Sequence, residues 1–235
     1  MIEFFTQLFL ALNKILFNNL GITIIVISIL SRLVTHPFVV NSLKYTKAMR
    51  DLKPKLDELK KKHGSDVRKL ASEQSRLMGE HGVSPTAGLV GCLSIIVQIA
   101  VFFILFNVIT RVVKTDIGTN FLFWDLAKPD VIKIASLPFP LPGILVALTA
   151  IASFVQSKMM MPSTTKTKET QNIKEEKQGI MDALAAAQGQ TAFIIPIIIV
   201  IWGIKFGSGL ILYWLVSTLF GIIQQNSIQG KEASK

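Results

Sequence analysis

Long runs free of Asp, Glu, Lys and Arg alternate along the chain with short charged segments. Four such runs stand out: residues 86–110 (25 residues), 134–157 (24), 183–204 (22) and 206–230 (25). A helix needs about 20 mostly apolar residues to cross roughly 30 Å of hydrocarbon, so each run predicts a spanning helix. A fifth run, 15–31, is interrupted by Arg32 and resumes over 33–43, where His36 is the only titratable group. Taken as one helix over 20–43, it places Arg32 about 18 Å from either end at roughly 1.5 Å per residue. An arginine near mid-membrane costs at least about 2.5–3.5 kcal/mol on insertion scales. The nearest downstream carboxylate is Asp51, so the sequence near Arg32 supplies no partner. Arg32 therefore predicts a wet or polar interior.

The segments between the runs carry their own periodicities. In residues 1–19, Ile2, Phe5, Phe9, Leu12 and Leu16 recur at spacings of 3 and 4, which predicts an amphipathic helix along the extracytoplasmic interface. A signal peptide is the rival reading, but a basic start and a small-residue cleavage site are missing. Residues 44–85 form the one large polar element. Met49, Leu52, Leu56 and Leu59 make one apolar seam, and Val67, Leu70, Gln74 and Leu77 a second. Gly64 suits a helix C-cap and Ser65 or Asp66 the next N-cap, so the pattern predicts an antiparallel helical hairpin. It reads either as a solvated linker or as a docking or gating device.

The expected order is then an interfacial helix (1–19), span 1 (20–43), hairpin (44–85), span 2 (86–110), outer loop (111–137) and span 3 (138–158). A flexible cytoplasmic loop (159–190), span 4 (191–205), span 5 (208–228) and a cytoplasmic tail (229–235) follow. The outer loop holds FLFWDLAKPD, whose aromatic residues suit the headgroup zone. Pro138, Pro140 and Pro142 are expected to start span 3, where a missing N–H matters least. Gly203 and Gly207 have the spacing of a helix-packing motif, but at the end of a span they read as turn chemistry.

Composition agrees with the pattern. Half of the residues are hydrophobic and 17% charged, with a mean hydropathy of +0.50, against roughly 25% charged in soluble domains. The only cysteine, Cys92, lies inside a predicted span, which excludes a disulfide scaffold. Charge then orients the chain. The hairpin, the loop after span 3 and the tail hold 18 of the 25 Lys and Arg residues, and the opposite face holds 6. By the positive-inside rule the hairpin and C-terminus face the cytoplasm and the N-terminus lies outside. The net charge of +10 is thus mainly a topology signal, with anionic headgroups or ribosomal RNA as secondary partners of the cytoplasmic charge.

Several chemistries lack their residues. The chain has no G-x-x-x-x-G-K-[ST] phosphate loop. His36, His63 and His81 are too scattered for a metal site, and the spans contain no acidic residue, which weighs against a proton-coupled carrier. No cofactor and no catalytic group is expected. What remains inside the membrane is Arg32 with neutral polar groups: Gln98 in span 2, Gln156 in span 3 and Tyr213-Trp214 in span 5. Taken singly, each has an ordinary packing or anchoring role, but the arginine requires a polar lining and these are the groups at hand.

The order of elements and five motifs together resemble the YidC family of membrane protein insertases. The motifs are SRLVTHPF (31–38), LKPKLDELKKKHG with LMGEHGVSP (52–64 and 77–85), VQIAVFFILF (97–106), FLFWDLAKPD (121–130) and GLILYWLVSTLFGIIQQ (209–225). The resemblance implies an all-α membrane protein with five spans around a polar groove, open to the cytoplasm and to lipid but closed outside. It places the groove arginine on Arg32 and groove-lining positions on Gln98, Gln156 and Trp214. Implied partners are the lipid bilayer and nascent membrane proteins with acidic tails. A Sec translocon, the ribosome or a targeting receptor would dock on the cytoplasmic loops and hairpin, and DNA is not a partner. Ser94, Ala100 and Ser208 depart from the family pattern, the first two standing where prolines are usual. Two other classes compete: a transporter or channel using Arg32 as an anion site, and a structural assembly factor.

Overall fold

Helices dominate, as the apolar periodicity dictates. The computed structural model describes residues 2–63, 66–81, 87–115, 117–134, 138, 140–160 and 194–233. Helix α1 spans Ile2–Ile15, α2 Leu20–His63, α3 Val67–Glu80, α4 Ala87–Val112 and α5 Ile144–Met160. Helix α6 covers Ile194–Gly203 and α7 Ser208–Ala233. Two of these carry stretches long and apolar enough to cross a membrane, Leu20–Leu43 and Ser208–Ile228. Ile96–Val112, Ile144–Met159 and Ile194–Gly203 are apolar and shorter among the described residues. Most of the expected loop 159–190, together with the capping residues Gly64 and Ser65 and the Ser94 side chain, lies outside the described residues.

Helix α2 runs without a break from the first apolar stretch into the basic segment, through Pro37 and Pro54. Pro37 removes the N–H that would reach the Leu33 carbonyl. One turn earlier, the Thr35 hydroxyl donates to the Ser31 carbonyl at 2.9 Å. The basic half of α2 packs against α3 through Leu52, Leu56 and Met78, flanked by Ala48 and Leu77. Met78 thus joins a seam expected to run through Leu77. Asp66 caps α3, accepting from the Lys69 N–H at 3.1 Å.

One end of the helix bundle is a sealed cap. Helix α1 buries Thr6, Phe9 and Asn13 against α4 and α2, and Asn13 accepts from the Thr23 hydroxyl at 2.9 Å. Phe17 and Asn18 turn the chain at positive φ, and Asn19 caps α2 by accepting from the Ile22 N–H at 3.1 Å. Between α4 and α5 the chain forms two short antiparallel strand pairs. Strand β1 (Asn120–Phe121) meets β2 (Trp124–Asp125), and β3 (Val131–Ile132) meets β4 (Leu141–Pro142). Pro142 therefore sits in a strand, and α5 starts later than the proline run suggests, at Ile144. Its N-terminus is capped from across the loop: Asp130 Oδ2 accepts from the N–H groups of Leu145 and Val146 at 2.6 and 3.2 Å.

The same loop clamps α7. The Lys128 carbonyl accepts from both the hydroxyl and the N–H of Ser208, at 2.6 and 2.8 Å, and the Leu126 carbonyl accepts from the Gly209 N–H at 3.0 Å. Beneath the cap lies a continuous apolar core of Phe9, Leu20, Ile24, Val108, Val112, Leu126, Leu145, Val146, Leu210 and Ile211. Gly203 corrects the turn reading above. A Cβ there would stand 2.7 Å from a Val146 methyl, so this glycine lets α6 and α5 approach closely.

Candidate functional site

Toward the hairpin the bundle changes character. On α2, Ser28, Ser31, Arg32, Thr35 and His36 follow the apolar turns around Ile24. On α5 the inward positions become Thr149, Ser153 and Gln156, and on α7 they become Tyr213, Ser217, Thr218, Gly221, Gln224 and Gln225. Spacings of three and four place each set on one helix face. Ser28, Thr149, Ser153, Ser217, Thr218, Gln224 and Gln225 are all buried.

Tyr213 is the hub of this layer. Its hydroxyl accepts from Gln98 Nε2 at 3.0 Å. Lower down, the Gln156 amide lies directly over Gly221, and Arg32 Nη1 is 3.6 Å from where a Gly221 Cβ would stand. A side chain at 221 would occupy the space of the Gln156 amide, so the missing Cβ brings glutamine and arginine together. His36, one turn beyond Arg32, meets the Gln224 amide through its Nδ1.

Three of the four expected site residues, Arg32, Gln98 and Gln156, thus share one polar layer. Trp214 does not join them. It turns toward α4, edge-on to Phe102 at 5.7 Å, and begins an aromatic ladder through Phe106 and Phe206 to Trp202. It borders the layer without touching the guanidinium. The residues that single-position reading passed over are the small hydroxyls and the two glutamines. Their signal was the stripe Tyr213, Ser217, Gly221, Gln224 at helical spacing inside an otherwise apolar run.

Among the described residues, five side-chain atoms in this layer are buried with no hydrogen-bond partner: Arg32 Nε, Ser153 Oγ, Ser217 Oγ, Gln224 Oε1 and Gln225 Nε2. Buried polar groups are nearly always paired with protein or water, because leaving one unpaired costs about 1–3 kcal/mol. They are drawn from α2, α5 and α7, which face one another here. Ion pairs among the described residues lie elsewhere, at Arg76 with Glu73 and Glu80, Arg111 with Glu3, and Lys128 with Asp125. The arrangement can therefore hold water and an anionic or hydrogen-bonding chain. Among the described residues, no group of three or more His, Cys, Asp or Glu side chains is placed to bind a metal ion.

Comparison with known proteins agrees with this architecture. A family model described as 60Kd inner membrane protein matches residues 11–235. The chain is 31% identical over 234 residues to the membrane protein insertase MisCA of Bacillus subtilis, covering 98% of this chain and 78% of the relative. It is 32% identical over 217 residues to the membrane protein insertase YidC of Fusobacterium nucleatum, covering 92% and 89%. It is also 32% identical over 219 residues to the membrane protein insertase YidC 2 of Bacillus anthracis, covering 92% and 74%. The matched region runs through α2 to α7 and includes every polar stripe described above, and the chain belongs to the 60Kd inner membrane protein family, whose members include the YidC insertases.

Proposed function

We propose that this protein is a membrane protein insertase that moves short polar tails of nascent membrane proteins through a hydrophilic groove and releases their apolar segments sideways into lipid. Helices α2, α4, α5, α6 and α7 are its five spans, and Arg32, Gln98 and Gln156 line the groove, with Trp214 at its apolar edge. The basic hairpin and the C-terminus face the cytoplasm, and α1 lies along the outer interface. The observation that carries this reading is Arg32: a guanidinium with a buried, unpartnered Nε among orphan hydroxyls and amides, and with no ion-pair partner among the described residues.

The energetics follow from that site. A wet groove lowers the cost of carrying a polar tail across hydrocarbon, and the guanidinium attracts its carboxylates. Two unit charges about 4 Å apart attract by roughly 4 kcal/mol at an effective dielectric near 20, comparable to the penalty of burying the arginine. Release is driven by the apolar segment itself, at about 25 cal/mol per Å² removed from water. No nucleotide enters this cycle. Clients are single- or double-span proteins with acidic tails, and the hairpin is the docking element for a Sec translocon, the ribosome or a targeting receptor.

The test is insertion of a single-span client with an acidic N-terminal tail into liposomes, scored by protection of the tail from added protease. Empty vesicles, wild type and Arg32→Glu are compared, with a neutral-tail client alongside. The expected result is protection with wild type and a loss in Arg32→Glu at least tenfold greater for the acidic tail. Equal loss on both clients would refute the charge role. No protection above empty vesicles by folded wild type would favour an assembly factor or an anion path.

A further inference from the structure

His36 lies exactly one helical turn past Arg32, on the same face of α2, and the mechanism above leaves it without a task. Residues four apart on a helix stand about 6 Å apart along its axis, so a chain leaving Arg32 toward the hairpin meets His36 next. Unlike Arg32, His36 is exposed, and its ring touches Gln224 of α7 through Nδ1. Resting on the insertase reading, we infer that His36 is a second substrate-contacting group of the groove, which when protonated binds tail carboxylates and so makes the preference for acidic tails rise as pH falls.

The geometry allows the charge change without moving the ring. A side-chain amide carries both a donor and an acceptor, so the Gln224 amide beside Nδ1 suits a ring nitrogen with or without a proton. The Gln224 oxygen is one of the buried orphans. Rotating that amide by half a turn offers this oxygen to an Nδ1–H instead, so Gln224 can pair with the ring in either charge state. Histidine is the side chain whose ordinary titration falls between about pH 5 and 8.

Among the described residues, no carboxylate stands beside His36. The elements packed on α2 are α1, α3, α4, α7 and β1. On α2 itself Arg32 is the nearest charge, and the first carboxylate is Asp51. Helix α7 has no charged side chain over Ser208–Ile228 and presents Tyr213, which already serves Gln98. The described side chains of α4 carry only Arg111, at the far end, and α1 carries Glu3 and Lys14 at the cap. The charges of α3 belong to the hairpin, around Leu52 and Leu56, and β1 has none. Helix α5, packed on α7, adds Lys158 in its last turn, which is again a cation. A protonated His36 therefore finds its counter-charge in the passing chain.

The experiment uses full-length protein in proteoliposomes and two clients differing only in tail, one with aspartates and one with asparagines. The readout is the ratio of acidic-tail to neutral-tail insertion at pH 8 and pH 6, where aspartates stay ionised. Wild type should raise this ratio about two- to fivefold on acidification, the scale of one exposed ion pair. His36→Gln should hold the low ratio at both pH values, and His36→Lys the high ratio at both. His63 and His81 remain in every variant, so a rise of the same size in His36→Gln would overturn the inference, as would a flat wild-type ratio. If wild type inserts neither client at either pH, the insertase reading fails first; if it inserts both with a flat ratio, only the role of His36 falls.

Discussion

The two halves of one helix bundle are built by opposite rules. At the cap end, α1, α2, α4, α5 and α7 meet through Phe9, Leu20, Ile24, Val108, Leu145, Val146 and Ile211, and the Asp130 carboxylate and the Lys128 carbonyl of the neighbouring loop accept from the N-termini of α5 and α7. At the hairpin end, the same α2, α5 and α7 turn serine, threonine, glutamine and arginine side chains toward one another, and five polar atoms lack partners. A single helix makes the change within about three turns: α5 passes from Val146 through Thr149 and Ser153 to Gln156. The difference teaches where each half gets its stability. The cap end is held by packing and satisfied hydrogen bonds. The hairpin end leaves buried polar side chains unpaired among the described residues.

Breaking the cap half should have the largest effect. Val146→Asp buries a carboxylate in a fully apolar environment, at a cost of several kcal/mol, and the protein should fail to accumulate or melt far below wild type in micelles. Asp130→Ala removes the cap of α5 and should lower stability by about 1 kcal/mol, read from the same thermal melt, with Asp130→Asn intermediate. The comparison sharpens with Arg32→Met. Because this guanidinium is partly buried without an anion, replacing it should leave stability unchanged or raise it by about 1 kcal/mol while abolishing acidic-tail insertion. Destabilisation comparable to Val146→Asp would mean the arginine holds the fold.

The smallest effect concerns pH at the cap. Hydrogen bonds from Lys128 and Thr119 hold the Asp125 carboxyl below its ordinary value. A carboxylate with a depressed folded value contributes stability above its unfolded value near pH 4 and loses it as pH falls through the folded value. Fluorescence of the neighbouring Trp124, or the protection factor of the Ala127 amide after correction for intrinsic exchange, should therefore hold steady from pH 7 to about 4 and change only below that. A change between pH 5 and 7 would assign the transition to another group.

Much of this contrast was legible in the sequence, for physical reasons. Runs of 22 to 25 uncharged residues have few alternatives to membrane helices, and the isolated Arg32 demanded a polar interior wherever it lay. Gln98 and Gln156 could be named because amides are rare in such runs. Ser153, Ser217 and Ser28 were harder to see, since a hydroxyl in a helix can satisfy itself on the carbonyl four residues back, as Ser28 does on Ile24 at 2.6 Å. Only the facing arrangement of α2, α5 and α7 reveals which hydroxyls are left over. Trp214 entered the expected site through the family resemblance; in the structure its ring lies edge-on to Phe102, about 100° around α7 from Tyr213. The cap was the least legible part. Asp130 reaching α5 and the Lys128 carbonyl reaching Ser208 are contacts between segments distant in sequence, with no periodicity to announce them.

The most direct test of the two-half description asks whether water reaches buried positions in one half and not the other. Ser153 and Leu145 lie on the same helix and are matched in burial, at 3% and 2% exposure. In a background with Cys92 replaced, cysteine is placed at each and exposed to a small cationic methanethiosulfonate, which reacts with a hydrated thiolate. Reaction at Ser153→Cys at least tenfold faster than at Leu145→Cys is the expected result. Equal rates, or protection of both, would contradict a hydrated polar half and leave Arg32 without the groove proposed for it.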